Sequence, residues 1–306
     1  MKSNQINNLS LSVILSLILA LLGATSAISQ TPAEKKFDET LAVNAKKPVT
    51  IDESTAAKAI VNSDKTKRKA PAGGQEWSGF YIGGVGGINW NRSVANTSTV
   101  FSPTGYFATS SVPAIATAGR QSFDKSRFTG GATFGWNYQH GHLVAGAEVD
   151  WSWVDNNQTV STTATYPCCS PTAFTVTQSL KNRWLVTARP RVGYAAGKTL
   201  IYGTFGYAFS DLNYQELFTD TFATARESAG FNQWKVGGVG GGGIEQKIGD
   251  HWSIKGEWLY TTFFRKTLTS NNLTAFTPAI SFPTNEFSHS IYIKEQTVRF
   301  GINYHF

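Results

Sequence analysis

The sequence predicts an all-β fold: an eight-stranded antiparallel up-and-down barrel that crosses a membrane, with short turns at one end, long loops at the other, and a disordered arm before the first strand. Three observations predict it. Only 15% of the 306 residues are charged, 13% are aromatic, and 29 glycines stand against one methionine, a balance that favours strands and turns over helices. From Trp77 onward, apolar and polar side chains alternate with a period of two. Aromatic residues gather at the ends of these segments, where an amphipathic ring would sit at the level of lipid headgroups.

The chain begins with Lys2 and an apolar run, "LSLSVILSLILALLG", followed by the small-residue stretch "ATSAISQ". These are the parts of a secretory signal peptide over residues 1–29, with cleavage near Ala27 to Ser29; a retained anchor is the competing reading, and the shortness of the run argues against it. Residues 30–76 are rich in Lys, Glu, Thr and Ala and close on "DKTKRKAPAGG". Low hydrophobicity with mixed charge predicts a flexible periplasmic arm, and the basic run reads as a solvated linker before it reads as a contact for an anionic polymer or headgroup. The net charge of +7 is scattered, so no nucleic-acid partner is expected.

The barrel is expected over residues 77–306. Its strands begin with "WSGFYIGGVGGINW" (77–90) and "RFTGGATFGWNYQ" (127–139), each bounded by aromatics. "LVAGAEVDWSWV" (143–154) sets Leu143, Ala145, Ala147, Val149, Trp151 and Trp153 on one face and Val144, Gly146, Glu148, Asp150 and Ser152 on the other. "RWLVTARPRVGYAA" (183–196) sets Trp184, Val186, Ala188, Val192 and Tyr194 against Arg183, Thr187, Arg189, Arg191 and Gly193. "LIYGTFGYAFSDL" (200–212), "QWKVGGVGGGGIEQKI" (233–248), "HWSIKGEWLYTTF" (251–263) and "EQTVRFGINYHF" (295–306) complete the eight.

Three connections are tight turns near Gly141, Gly197 and Gly249, and four are long Ser/Thr/Asn/Pro-rich stretches at 91–126, 155–182, 213–232 and 264–294. Such alternation is the layout of an outer-membrane barrel with periplasmic turns. Closure removes the edge strands, which lipid cannot solvate. The last strand is therefore expected to pair with the first, and its row Phe300, Ile302, Tyr304 and Phe306 reads as the signal by which outer-membrane assembly machinery recognises a client. Outer-membrane lipid and lipopolysaccharide are the remaining expected partners.

Several motifs resemble the small eight-stranded outer-membrane barrels of alphaproteobacteria, often labelled the porin family. They are "WSGFYIGG" (77–84), "WLVTARPRVGYA" (184–195), "YGTFGYAFSD" (202–211), "GGGIEQKIGDHWSIKGEWLY" (241–260) and "VRFGINYHF" (298–306). That group includes major surface antigens and haemin-binding proteins. The resemblance implies an integral barrel in the outer membrane of a Gram-negative bacterium. It carries no haemin-binding residue to a position in this chain.

A barrel of eight strands has an interior that side chains can fill. Parity assigns Glu148, Asp150, Arg189, Arg191, Lys235, Glu245, Lys255, Glu257 and Arg299 to that interior. Paired in register they form a salt-bridge plug, or line a narrow pore for small solutes. Catalysis is not expected: His289, with Glu286, Ser288 and Ser290 nearby in a serine-rich loop, is a weak constellation. No cofactor or metal site is assigned. Haem remains an alternative through His289 and the loop residues Tyr106 or Tyr166, and adhesion through the loops is another. The adjacent Cys168 and Cys169 suggest an intermolecular or vicinal disulfide in an oxidising compartment.

Overall fold

The computed structural model describes residues 76–306. The expected signal peptide, and the arm up to residue 75, lie outside them. Among the described residues twelve strands form one antiparallel sheet. In chain order they are β1 (Gly79–Thr99), β2 (Arg120–His140), β3 (Leu143–Thr165), β4 (Ala173–Ala196), β5 (Thr199–Asp220), β6 (Arg226–Lys247) and β7 (Trp252–Phe263), then β8 (Lys266–Ser270), β9 (Thr274–Ala275), β10 (Ile280–Ser281), β11 (Phe287–Tyr292) and β12 (Lys294–His305), with one helix, α1 (Ser111–Ala118), between β1 and β2.

The ladder runs from β1 through β7 to β12 and returns to β1, so the sheet is a closed barrel. The closing pair is long, from Tyr81 opposite His305 to Asn91 opposite Glu295. The final strand is thus hydrogen-bonded on both sides, and no edge is left along it. Gly141 and Gly197 hold the positive φ angles, 61° and 58°, that their two-residue turns require.

At the other end the sequence expectation fails. The stretches 155–182 and 213–232 are mostly strand, 91–126 is strand at both ends around a loop and α1, and β1 to β6 run 21 to 24 residues each. The stretch 264–294 contains β8 to β11. Toward that end the outward face changes from aromatic to Thr, Ser and Asn, a loop-like composition. The β-branched residues keep the chain extended all the same, and exposed hydroxyls pair across β3 and β4: Thr159 with Ser179 at 3.1 Å, Ser161 with Thr177 at 3.0 Å, and Thr163 with Thr175 at 2.8 Å. The remaining connections are short, 166–172 and 221–225, or carry α1. In the turn after β3, Cys168 and Cys169 are bonded to each other.

The barrel is inverted relative to a water-soluble fold. Outward apolar side chains are exposed, including Phe128 at 67%, Phe205 at 65% and Phe300 at 72%, whereas the inward face is largely polar and buried. Inside, the chain builds layers. Trp77, Val144, Ala195, Leu200 and Tyr202 fill the turn end. A charged layer follows, then an apolar layer that includes Phe123, Val154, Leu180, Leu212 and Ile291. The far end is capped by Phe107, Ile115, Phe174, Phe218 and Phe287, with α1 contributing Ile115. The inward row of β5 passes through this series: Tyr202 at the turn end, Leu212 and Tyr214 in the middle, Glu216, then Phe218 under the cap.

Candidate functional site

Eight charged side chains converge in the layer above the turn end, each no more than 3% exposed: Glu148, Asp150, Arg189, Arg191, Glu245, Lys255, Glu257 and Arg299. They come from β3, β4, β6, β7 and β12, and the ladder register aligns them. Glu148 lies opposite Arg189, Arg299 opposite Glu257, and Glu245 opposite Lys255. Arg189 reaches three carboxylates, Glu148 at 2.7 Å, Asp150 at 2.8 Å and Glu257 at 3.0 Å. Arg299 donates to Asp150 at 2.9 Å and Glu257 at 2.7 Å, Lys255 to Glu148 at 2.7 Å, and Arg191 to Glu245 at 3.0 Å.

Four carboxylates face four cations, so the layer is neutral by itself. Neutral side chains satisfy the remaining lone pairs. Tyr81 donates to Glu148 at 2.7 Å, Thr187 to Asp150 at 2.6 Å, Tyr202 to Glu257 at 3.2 Å, and Asn303 to Glu245 at 2.7 Å. The Arg191 guanidinium lies 4.8 Å from the ring centres of both Tyr81 and Tyr202. Every carboxylate oxygen in the layer has a partner; the atoms left over are mainly donors, such as Arg189 Nε and Asn137 Nδ2. This is the arrangement that makes buried charge tolerable.

Lys235 does not belong to the layer. Its parity is inward, but it lies opposite Ser210, beyond the last β6–β7 pair at Gly237 and Phe263, and its ammonium meets Gln233 at 2.9 Å and the Phe231 ring. Parity says which face a residue takes, not how far along the barrel it lies. Arg183 also leaves its expected face. The β4 register shifts between Asn182 and Leu185, Arg183 is exposed there, and Asp211 Oδ1 accepts from the backbone N–H groups of Arg183 and Trp184. Sequence reasoning missed Tyr81, Asn137, Thr187, Tyr202, Ser253, Asn303 and His305 as members of the charged layer. All share its inward parity, which is the signal that could have found them.

His289 is not on an exposed loop. It lies on β11 opposite Thr97 of β1 and is 1% exposed. Its neighbours Ser288 and Ser290 take the opposite face of the strand, and Glu286 is exposed, so the Glu286/Ser288/Ser290 constellation is not assembled. His289 instead meets Glu216 of β5 and Glu227 of β6, with Nδ1 3.6 Å from Glu216 Oε2 and Nε2 3.5 Å from Glu227 Oε1. Thr97 Oγ1 and Ser270 Oγ each lie 3.0 Å from a ring nitrogen. Burial, then the charge of Glu227, pushes the Glu216 carboxyl far above the usual range. Neither carboxylate was singled out from the sequence, because both fall in or next to a stretch read as loop.

Tyr106 and Tyr166, the loop tyrosines of the haem alternative, are engaged elsewhere. Both donate to Asp220 Oδ2, at 2.5 Å and 3.0 Å. Burial and the Asp220 carboxylate push both phenols well above their ordinary value, away from the phenolate that would ligate iron.

Comparison with known proteins agrees with an outer-membrane location. The 31 kDa outer-membrane immunogenic protein of Brucella melitensis biotype 1 is 26% identical over 257 residues, covering 82% of this chain and 92% of that one. The 25 kDa outer-membrane immunogenic protein of Brucella abortus biovar 1 is 26% identical over 192 residues, or 62% and 67% of the two chains. The crystal structure of the outer membrane protein OprG from Pseudomonas aeruginosa is similar over 75% of this chain and 97% of that one, at 13% identity and a TM-score of 0.39. Residues 66–306 match the family model described as the outer membrane protein beta-barrel domain, and the chain, an integral protein of the Gram-negative outer membrane, belongs to that family.

Proposed function

We propose that the protein is a sealed surface barrel with a structural role, and neither a pore nor an enzyme. In this reading the eight strands of the closed cycle span the membrane, with the glycine turns in the periplasm and the extended upper sheet standing on the cell surface. The charged layer carries the reading. A layer that neutralises its own charges, and is covered by apolar layers on both sides, leaves no water-filled path for a solute. The relatives' names describe immunogenic proteins, which fits a chain whose hydroxyl-rich upper strands face the medium. The outward row Phe300, Ile302, Tyr304 and Phe306, with Phe306 74% exposed, is the surface offered first to the assembly machinery and then to lipid and lipopolysaccharide.

Proteoliposome swelling tests this. Vesicles carrying the folded protein should swell in arabinose or glycine no faster than protein-free vesicles. Swelling that rises with protein content would replace the plug with a narrow pore.

A further inference from the structure

Glu216, Glu227 and His289 form a second buried polar cluster, and it is incomplete. One oxygen or nitrogen of each lies within 4.8 Å of those of the others, and all three side chains are fully shielded from solvent. Two carboxyls here face one imidazole, so ionising both would leave an excess negative charge even beside a protonated ring, and burial with the neighbouring Glu227 instead favours a protonated Glu216. Both oxygens of Glu216, the second oxygen of Glu227, and Oε1 of Gln178, which is directly opposite Glu216 in the β4–β5 ladder, have no hydrogen-bond partner. With both carboxyls ionised, as a bound cation would hold them, these atoms are all acceptors; the Tyr214 hydroxyl, also unpartnered and two residues before Glu216 on the same face, is a single donor against them, and buried acceptors in such excess call for a cation.

We propose that this cluster binds a first-row divalent cation of the zinc type, held by Glu216, Glu227 and one ring nitrogen of His289. A dication with two carboxylates and a neutral imidazole sums to zero, the balance the charged layer reaches with its own side chains. The donor set, two oxygens and one imidazole without thiolate, suits a borderline metal better than a soft one. Mg²⁺ and Ca²⁺ ask for more oxygen ligands than the cluster supplies. Ligand bonds of about 2.1 Å place tetrahedral neighbours about 3.4 Å apart; the ring nitrogen that binds already has one carboxylate near that spacing, Glu216 at 3.6 Å from Nδ1 or Glu227 at 3.5 Å from Nε2, and the other carboxylate has to close in from within 4.8 Å. Whichever nitrogen binds, the other keeps a hydroxyl at 3.0 Å, Thr97 or Ser270, to fix the ring.

The location gives the ion a mechanical role. The β6–β7 ladder stops at Gly237 and Phe263, and β6 regains a partner on that side only where Arg226 meets Thr274 of β9. Glu227 lies at the top of this seam, bonded to Ser270 of β8. A cation joining β5 and β6 to β11 would staple the upper sheet where backbone hydrogen bonds are missing. The site is independent of the plug, so its failure would leave the sealed-barrel reading in place.

The test is metal content and unfolding of the full-length protein, folded in detergent, stripped with EDTA and reloaded with Zn²⁺. The wild type should retain about one zinc per chain after gel filtration, and its unfolding midpoint should rise with Zn²⁺. Glu216→Gln and His289→Gln, shown to be folded by heat-modifiable gel mobility, should each bind at least about tenfold more weakly and lose the shift. Glu286→Gln, at an exposed carboxylate on the same segment, should behave as wild type. Zinc retained equally by Glu216→Gln would mean surface binding and would overturn the proposal, as would a wild type that holds none. Should the variants not fold, Co²⁺ loading of the wild type decides. Intense visible bands of a four-coordinate nitrogen/oxygen site support the proposal, and a spectrum of hydrated Co²⁺ alone contradicts it.

Discussion

The charged layer above the turn end and the Glu216/Glu227/His289 cluster beneath the cap lie in one barrel, on the same inward face, yet they balance charge differently. In the lower layer four cations match four carboxylates and every carboxylate oxygen is partnered; in the upper cluster the unpartnered atoms are mainly carboxylate and amide oxygens. A buried carboxylate is therefore an asset in one place and a burden in the other, and mutation should give effects of opposite sign. The lesson is that burial alone does not fix the worth of a charge; its local balance does.

The largest effect is expected from Arg189→Ala, which strips a partner from Glu148, Asp150 and Glu257 together. Loss of one side of a buried ion pair should cost about 3–5 kcal/mol in urea or guanidinium unfolding. A loss under about 1 kcal/mol, the range of a surface pair, would show that water reaches the layer and would break the comparison. Next in size is Gly135→Ala. Its new Cβ would lie 2.2 Å from the ring of Tyr81, the donor to Glu148, so overpacking should cost about 1–3 kcal/mol.

In the upper cluster Glu216→Gln, in protein kept metal-free, should have the opposite sign. Burial and Glu227 hold the Glu216 carboxyl protonated in the fold, so it must take up a proton on folding at neutral pH; replacing it by a neutral amide removes that cost and should raise stability by about 1 kcal/mol. Destabilisation there would make the two clusters alike. Smallest of all is Thr163→Ala on the exposed hydroxyl ladder, expected to stay within about 0.5 kcal/mol of wild type.

How far the sequence could be read follows from the same contrast. In the lipid-facing part of each strand, apolar and polar residues differ enough for parity to be read directly. That parity put Glu148, Asp150, Arg189, Arg191, Glu245, Lys255, Glu257 and Arg299 on one face. Above the lipid both faces are polar or small, and the signal fades. The upper halves of β3 and β4 then looked like loops, and Glu216 and Glu227 went unseen. Lys235 exposes a second limit: parity is a property of one strand, whereas height comes from register between strands. Two strands meeting at Arg299 and Glu257 bring together residues 42 apart in sequence, and at Arg299 and Asp150 residues 149 apart. No local pattern encodes such separations. The β4 shift at Arg183 adds a third limit, since one extra residue reverses the faces beyond it.

The central claim is that the interior is closed by its own charges, and the most direct measurement is single-channel conductance of the folded wild type in a planar bilayer at high salt. The account predicts a flat baseline across the applied voltages from protein shown to be inserted and folded. Discrete openings whose size changes in Arg191→Ala or Glu148→Ala would contradict it, because only a water-filled, charge-lined path through the layer could produce them.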